Sequence, residues 1–206
     1  MLPIPLDQAP QCGQSIAVPT HGHGNFSISC STTIAASPVH CLKTVLNISE
    51  YPTWNTFCPR GVIEEVPVTC SPVVSSVPEL KTMSQLKNYL YTGVKFQFEV
   101  LMQEGQPTRK TALEVSILEK FNQDGKTGYR VAWKMRGMPY FLLRAERMQV
   151  FIQSTEENVT EYFCWETFGG VLSYFMTPQL KSQLEDGFGR WMNGLKAKAS
   201  RIAKHL

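Results

Sequence analysis

Thr160-Glu-Tyr-Phe-Cys-Trp-Glu-Thr-Phe-Gly-Gly170 runs into Val171-Leu-Ser-Tyr-Phe-Met-Thr-Pro-Gln-Leu-Lys-Ser-Gln-Leu-Glu-Asp-Gly-Phe-Gly-Arg-Trp191, and the hydrophobic period changes between the two. In the first stretch Tyr162, Cys164, Glu166 and Phe168 share one side of a strand, and Phe163 and Trp165 share the other. From Leu172 onward Phe175, Leu180, Leu184, Phe188, Trp191, Leu195, Ala199 and Ile202 step by three, four or five residues, as on one face of a long helix. Thr177 is placed to cap that helix, with Pro178 in its first turn. A helix that buries Phe188 and Trp191 needs a concave partner, and upstream the sequence offers a sheet.

That sheet is legible as alternation. Val94, Phe96, Phe98, Val100 and Met102 oppose Lys95, Gln97, Glu99 and Gln103. Leu113, Val115 and Ile117 oppose Glu114, Ser116 and Lys120, and Tyr129, Val131, Trp133 and Met135 oppose Arg130, Lys134 and Arg136. Glu104-Gly-Gln-Pro107 and Asn122-Gln-Asp-Gly-Lys126 are hairpin turns by composition. Two more strands, 141–153 and 159–168, flank the polar turn 154–158. Near the start, Phe26, Ile28, Cys30, Thr32 and Ile34 alternate with Ser27, Ser29, Ser31 and Thr33 in a first strand, half-buried by its pattern. Pro38 then opens a short helix capped by Ser37, with Val39, Leu42, Val45 and Leu46 on one face. Glu50-Tyr-Pro-Thr-Trp-Asn-Thr-Phe-Cys-Pro59 reads as a compact corner pinned by Trp54 and Phe57, followed by a strand over 62–68. Residues 71–91 read as an insertion, or a lid, carrying a short helix whose capping box is Ser76 with Glu79. Residues 1–24 lack periodicity and read as a flexible arm before a single domain over 25–206.

The chain has 206 residues, 43% hydrophobic and 18% charged, enough for one core that removes roughly 70% of the unfolded surface. Twenty basic residues against 17 acidic ones leave a net charge of +3, too weak a field to suggest a nucleic-acid partner. The apolar runs fall far short of the ~20 residues of a membrane span. The first ten residues have no basic segment and carry prolines where a signal core would stand, so the expected location is cytoplasmic. With that location, the sequons at Asn25, Asn47 and Asn158 are chance matches, and Cys12, Cys30, Cys41, Cys58, Cys70 and Cys164 are reduced thiols. His21 and His23 lack a partner at metal spacing, and no cofactor or metal motif is present.

The order strand, short helices, antiparallel strands and long C-terminal helix resembles the START-like, or SRPBCC, superfamily. Pro38-Val-His-Cys-Leu-Lys-Thr-Val-Leu46 is similar to its first helix, Tyr51-Pro-Thr-Trp-Asn-Thr-Phe-Cys-Pro59 to its Trp-Asn corner, and Thr160–Gly170 to its last strand. The resemblance implies an α+β helix-grip fold: a curved antiparallel sheet of about seven strands around the C-terminal helix, two short helices after the first strand, and a central hydrophobic cavity. It also implies a hydrophobic small-molecule ligand, with a carrier or sensor at one extreme and a cofactor-free cyclase of polyketide- or terpenoid-like intermediates, of fungal stand-alone type, at the other. A homodimer is left open.

Within that frame the polar residues of the cavity become the candidate chemistry. In strand 141–153, Leu142, Arg144, Glu146, Met148, Val150 and Ile152 share a face, and Arg147, Gln149 and Gln153 mark the opposite one as solvent-facing. Arg144 and Glu146 then point inward, where they form either a rim salt bridge or a ligand anchor with an acid or base. If Glu166 faces inward too, it is either a structural hydrogen-bond acceptor or a general acid. Trp133, Tyr129, Phe96, Phe98, Met135, Tyr162, Met148, Phe188 and Trp54 are candidate cavity wall, and core packing explains each equally well. Tyr140 and His40 are candidate proton donors at the mouth.

Overall fold

The computed structural model describes residues 2–123 and 125–203, with no side-chain description for Gln123, Ile202 and Ala203. The strands are β1 (Gln11–Gly13), β2 (Phe26–Ile34), β3 (Arg60–Glu65), β4 (Lys95–Val100), β5 (Arg109–Gln123), β6 (Lys126–Met135), β7 (Arg144–Gln153) and β8 (Thr160–Gly169). The helices are α1 (Pro38–Leu46), α2 (Pro72–Ser75), α3 (Pro78–Ser84) and α4 (Pro178–Ala203). The eight strands form one sheet in the order β1-β2-β8-β7-β6-β5-β4-β3, every neighbour antiparallel. This is the α+β helix-grip architecture, with one strand more than the alternation suggests because the N-terminal arm contributes β1.

The inner face of the sheet and α4 enclose the main core. Phe26, Ile28, Cys30, Phe96, Phe98, Leu113, Val115, Val131, Trp133, Phe151 and Tyr162 pack in one cluster with Leu184, Phe188, Trp191, Leu195 and Ala199. Each large side chain buried here contributes about 1.5–3 kcal/mol of transfer free energy. α4 starts where the sequence places it, since Thr177 Oγ1 accepts a hydrogen bond from Leu180 N at 3.2 Å. Leu172 and Phe175, read as its first apolar positions, instead lie in a 3-10 turn over Val171–Phe175 and are exposed.

The outer face is covered as well, and this reverses the reading of the arm. Ile4 and Val18 are buried against Ala132, Met148, Val150, Ile152, Phe163 and Trp165 in a second apolar cluster. The serines of β2 face this cover, not water. Gln8 Nε2 donates to Ser29 Oγ at 2.8 Å, Ile16 N to Ser27 Oγ at 2.8 Å, and Ser31 Oγ to the Pro5 carbonyl at 2.6 Å. Residues 2–24 are therefore a second layer, whose backbone groups and Gln8 side chain satisfy a strand face that alternation alone presents as wet.

Smaller departures have local causes. β3 ends at Glu65, and Pro67, which has no N–H to donate, leaves Val66 and Val68 exposed. β5 carries a bulge between Val115 and Ile117, so Ser116 and Ile117 both turn outward and Leu118 resumes the inward set. The 71–91 insertion folds as α2 and α3, with Val74, Leu80 and Met83 buried in the main core. Neither Ser37 nor Ser76 makes its expected cap. Glu79 instead accepts hydrogen bonds from Lys120 Nζ at 2.8 Å and from Tyr129 Oη, fastening α3 over the β5–β6 hairpin as a plug.

Candidate functional site

The antiparallel register of β7 and β8 sets Arg147 opposite Glu166. Both project from the inner face. Arg147 is 5% exposed, and its Nε and Nη2 donate to Glu166 Oε2 at 3.0 and 2.7 Å. The guanidinium lies 4.3 Å from the centroid of Phe188 and 5.2 Å from that of Trp191, both on α4, and 5.6 Å from that of Phe57. Burial works against its charge, but the facing Glu166, Cys164 and Cys58 outweigh burial and raise its pKa further above the ordinary arginine value. Burial pushes the Cys58 thiol up to about 12, so it is no nucleophile at neutral pH.

This ion pair sits in the wall of a cavity of about 260 Å³ between the sheet and the first half of α4. Phe98, Trp133, Met135, Leu143, Phe168, Met176 and Leu184 are among its apolar lining, while Arg109 and Thr111 add polar groups from β5. The Trp-Asn corner shapes one side. Asn55 Oδ1 accepts from Cys58 N at 2.8 Å, which turns Phe57 and Cys58 inward. Arg190 of α4 ties that corner to the end of β4 by donating to the Thr56 and Leu101 carbonyls at 2.9 and 2.7 Å. Arg147 Nη1 and Glu166 Oε1 have no hydrogen-bond partner among the described residues, and neither is sealed off from open space.

The inferred wall is thus brought together in part. Trp133, Phe98, Met135 and Glu166 line the cavity. Phe96 stands behind it, edge-on to Phe98 and Trp133. Phe188 covers Arg147, and Trp54 packs edge-on to Trp191 and Tyr51. Tyr162 Oη donates to Gln149 Oε1 at 2.7 Å and accepts from Trp191 Nε1 at 3.1 Å inside the core, while Gln149 Nε2 finds no hydrogen-bond partner among the described residues. Tyr129 is engaged by Glu79 under the plug. His40 lies on α1 and does not line the cavity.

Arg144, Glu146 and Met148 require correction. All three belong to the outer face of β7, and Met148 packs under the arm. Glu146 is fully buried and accepts from Thr20 N at 2.8 Å, Thr20 Oγ1 at 3.0 Å, His21 N at 3.1 Å and Ser116 Oγ at 2.6 Å. It is the clasp of the arm. Arg144 lies 4.5 Å from the centroid of Tyr140, itself more than half exposed in the loop before β7. The face assignment failed because a strand covered on both sides has no solvent face for Arg147 and Gln149 to mark. Counting back from the 154–158 turn sets Arg147 opposite Trp165, one residue out; the observed pairing of Gln153 with Thr160 brings Arg147 opposite Glu166.

No protein-family model matches the chain. Among curated proteins, it is 28% identical over 159 residues to "Oxopyrrolidines biosynthesis cluster protein O" of Penicillium oxalicum, covering 70% of this chain and 72% of that one. Among solved structures, a START superfamily protein from Mycobacterium smegmatis superposes with a TM-score of 0.56 at 11% identity, over 85% of this chain and 98% of that one. The fold is START-like. The Zhui aromatase/cyclase from Streptomyces sp. R1128 superposes with a TM-score of 0.54 at 9% identity, over 86% and 94%. At these identities the START-like likeness establishes backbone architecture, and chemistry has to be argued from the cavity itself.

Proposed function

We propose that this protein binds a compact, flat, oxygen-bearing hydrophobic molecule in the 260 Å³ cavity and promotes its ring closure or dehydration without a cofactor, in secondary-metabolite biosynthesis. The observation that carries the reading is the Arg147–Glu166 pair, with one free N–H edge and one free carboxylate oxygen in the wall of a largely apolar chamber whose other polar groups are Arg109 and Thr111. In a water-poor site a fixed cation stabilises negative charge as it develops on a carbonyl or enolate oxygen far better than it would in water. In this reading Glu166 Oε1 takes a proton from carbon and returns it to a departing hydroxyl, so ring closure and loss of water share one base. Trp133 and Phe98 hold the substrate flat, which lowers the entropy cost of bringing its ends together. The biosynthesis-cluster relative and the aromatase/cyclase superposition support this direction.

Native mass spectrometry of freshly purified protein, followed by incubation of whatever co-purifies, tests it. Conversion of the bound compound to a cyclised or dehydrated product, abolished by Glu166→Gln, supports the proposal. A ligand that is recovered intact and never converted makes the protein a carrier.

A further inference from the structure

The loops at the cavity mouth carry a feature that neither ligand binding nor catalysis uses. Residues 137–143, between β6 and β7, and residues 170–176, between β8 and α4, lie side by side. Val171 N donates to the Phe141 carbonyl and Leu172 N to the Leu142 carbonyl, both at 2.9 Å. Leu143 and Met176, from the same two loops, line the cavity. The outward side chains are apolar: Tyr140 is 56% exposed, Phe141 69%, Tyr174 76% and Phe175 75%, with Val171 and Met138 beside them. Most large apolar side chains of the chain are buried, so four projecting aromatics on two adjoining loops are a patch, and a patch of this kind marks a contact surface.

Charge selects the occupant. From Arg136 to Arg144 and from Gly169 to Lys181 the sequence holds three basic residues and no acidic one; Arg136 is paired with Glu64 at 3.4 Å, while Arg144 and Lys181 have no carboxylate partner among the described residues. A second copy of the chain meeting this patch about a two-fold axis would bring like charges together around its rim. An anionic lipid surface would attract them, while aromatic side chains suit the boundary between headgroups and acyl chains. Among the described residues no helix is long and apolar enough to cross a membrane, so the contact would be peripheral.

We propose that the paired loops 137–143 and 170–176 form a docking surface for anionic lipid membranes and set the cavity mouth against the bilayer. A hydrophobic ligand could then pass between bilayer and cavity without crossing water. The test is flotation of the full chain with vesicles of phosphatidylcholine alone and of phosphatidylcholine with 30 mol% phosphatidylglycerol, at low and at raised salt. The expected result is binding to the anionic vesicles that weakens with salt and falls by about tenfold or more in Phe141→Ser/Phe175→Ser. Near-ultraviolet circular dichroism of the double variant checks that it is folded, and Tyr174→Ser serves as a second, milder probe. Equal binding by wild type and a folded double variant overturns the proposal. So does no vesicle binding, whether the protein is monomeric or a dimer that the double variant dissociates; the dimer would assign the patch to a second copy. Cavity occupancy read by native mass spectrometry is a separate observable, so failure here leaves the catalytic reading standing.

Discussion

Replacing Arg147 by methionine removes the cation that lies against Phe188 and Trp191 and leaves Glu166 in the cavity wall without a counter-charge. The pair is almost fully enclosed, with side-chain exposures of 6% and 15%, so solvent screens little of the loss. Breaking a buried pair from one side costs about 3–5 kcal/mol, a large share of the ~5–15 kcal/mol that holds a domain together. At about 2–4 °C per kcal/mol for a chain of this length, Arg147→Met should lower the melting temperature by roughly 6–20 °C. The double variant Arg147→Met/Glu166→Leu removes both charges and keeps much of the volume, so its stability should return to within about 1 kcal/mol of wild type. Urea unfolding at pH 7 of the four proteins in the cycle gives the coupling energy, expected to exceed about 2 kcal/mol. The repacked double variant should still fail to bind an anionic aromatic probe such as 8-anilinonaphthalene-1-sulfonate, detected through quenching of Trp133, because the cation that anchors the sulfonate is gone. A loss below about 1 kcal/mol in Arg147→Met, as for a screened surface pair, would refute the claim that the cavity holds a desolvated charge pair.

Three further outcomes follow from the same geometry. Glu146→Leu removes the acceptor of four hydrogen bonds from residues 20, 21 and 116, so it should cost about 2–3 kcal/mol and expose the arm to limited proteolysis; probe binding in the cavity should be unchanged, and loss of binding in a folded variant would restore Glu146 to the site. Hydrogen bonds from Lys120 and then Tyr129 hold Glu79 down at about 2, so its contribution is full above the unfolded value near 4.5 and is lost as pH falls toward 2; Glu79→Gln should flatten that acid limb of the melting-temperature profile by about 1 kcal/mol, and an unchanged limb would show that the plug is not electrostatically fastened. A Cβ at Gly187 would run into the Phe57 ring, so Gly187→Ala should cost about 1–3 kcal/mol and weaken probe binding by displacing that wall, to be read from urea unfolding and probe titration together.

The elements themselves were readable wherever one periodicity dominates. β4, β6 and α4 follow from the spacing of Phe96, Phe98, Trp133 and Trp191, because a strand or a helix with one dominant buried face writes that face into its sequence. The turn between β7 and β8, read over 154–158, leaves the register one residue out, so the pairing of Arg147 with Glu166 came only from the structure. Trp133, Phe98, Met135 and Glu166 could be nominated for the cavity on the basis of alternation. Phe96, Tyr129 and Tyr162, equally aromatic and equally inward, could not be separated from them, since alternation gives the face of a residue and not its height along the strand.

What the sequence by itself determined is therefore local: which segments are strands or helices, and which side chains within each segment belong together. Which of two faces is dry, where the grip is plugged and where it stays open depend on contacts between segments far apart in the chain. Residues 2–24 have no period of their own, yet they bury Ile4 and Val18 and satisfy Ser27, Ser29, Ser31 and Glu146 on the back of the sheet. Once that cover is in place both faces of β7 are buried, and polarity no longer separates inside from outside. Only the tertiary structure could decide that Glu146 fastens an arm and Arg147 faces the cavity, because a buried charge is positioned by the partners that satisfy it, and those partners lie on other elements.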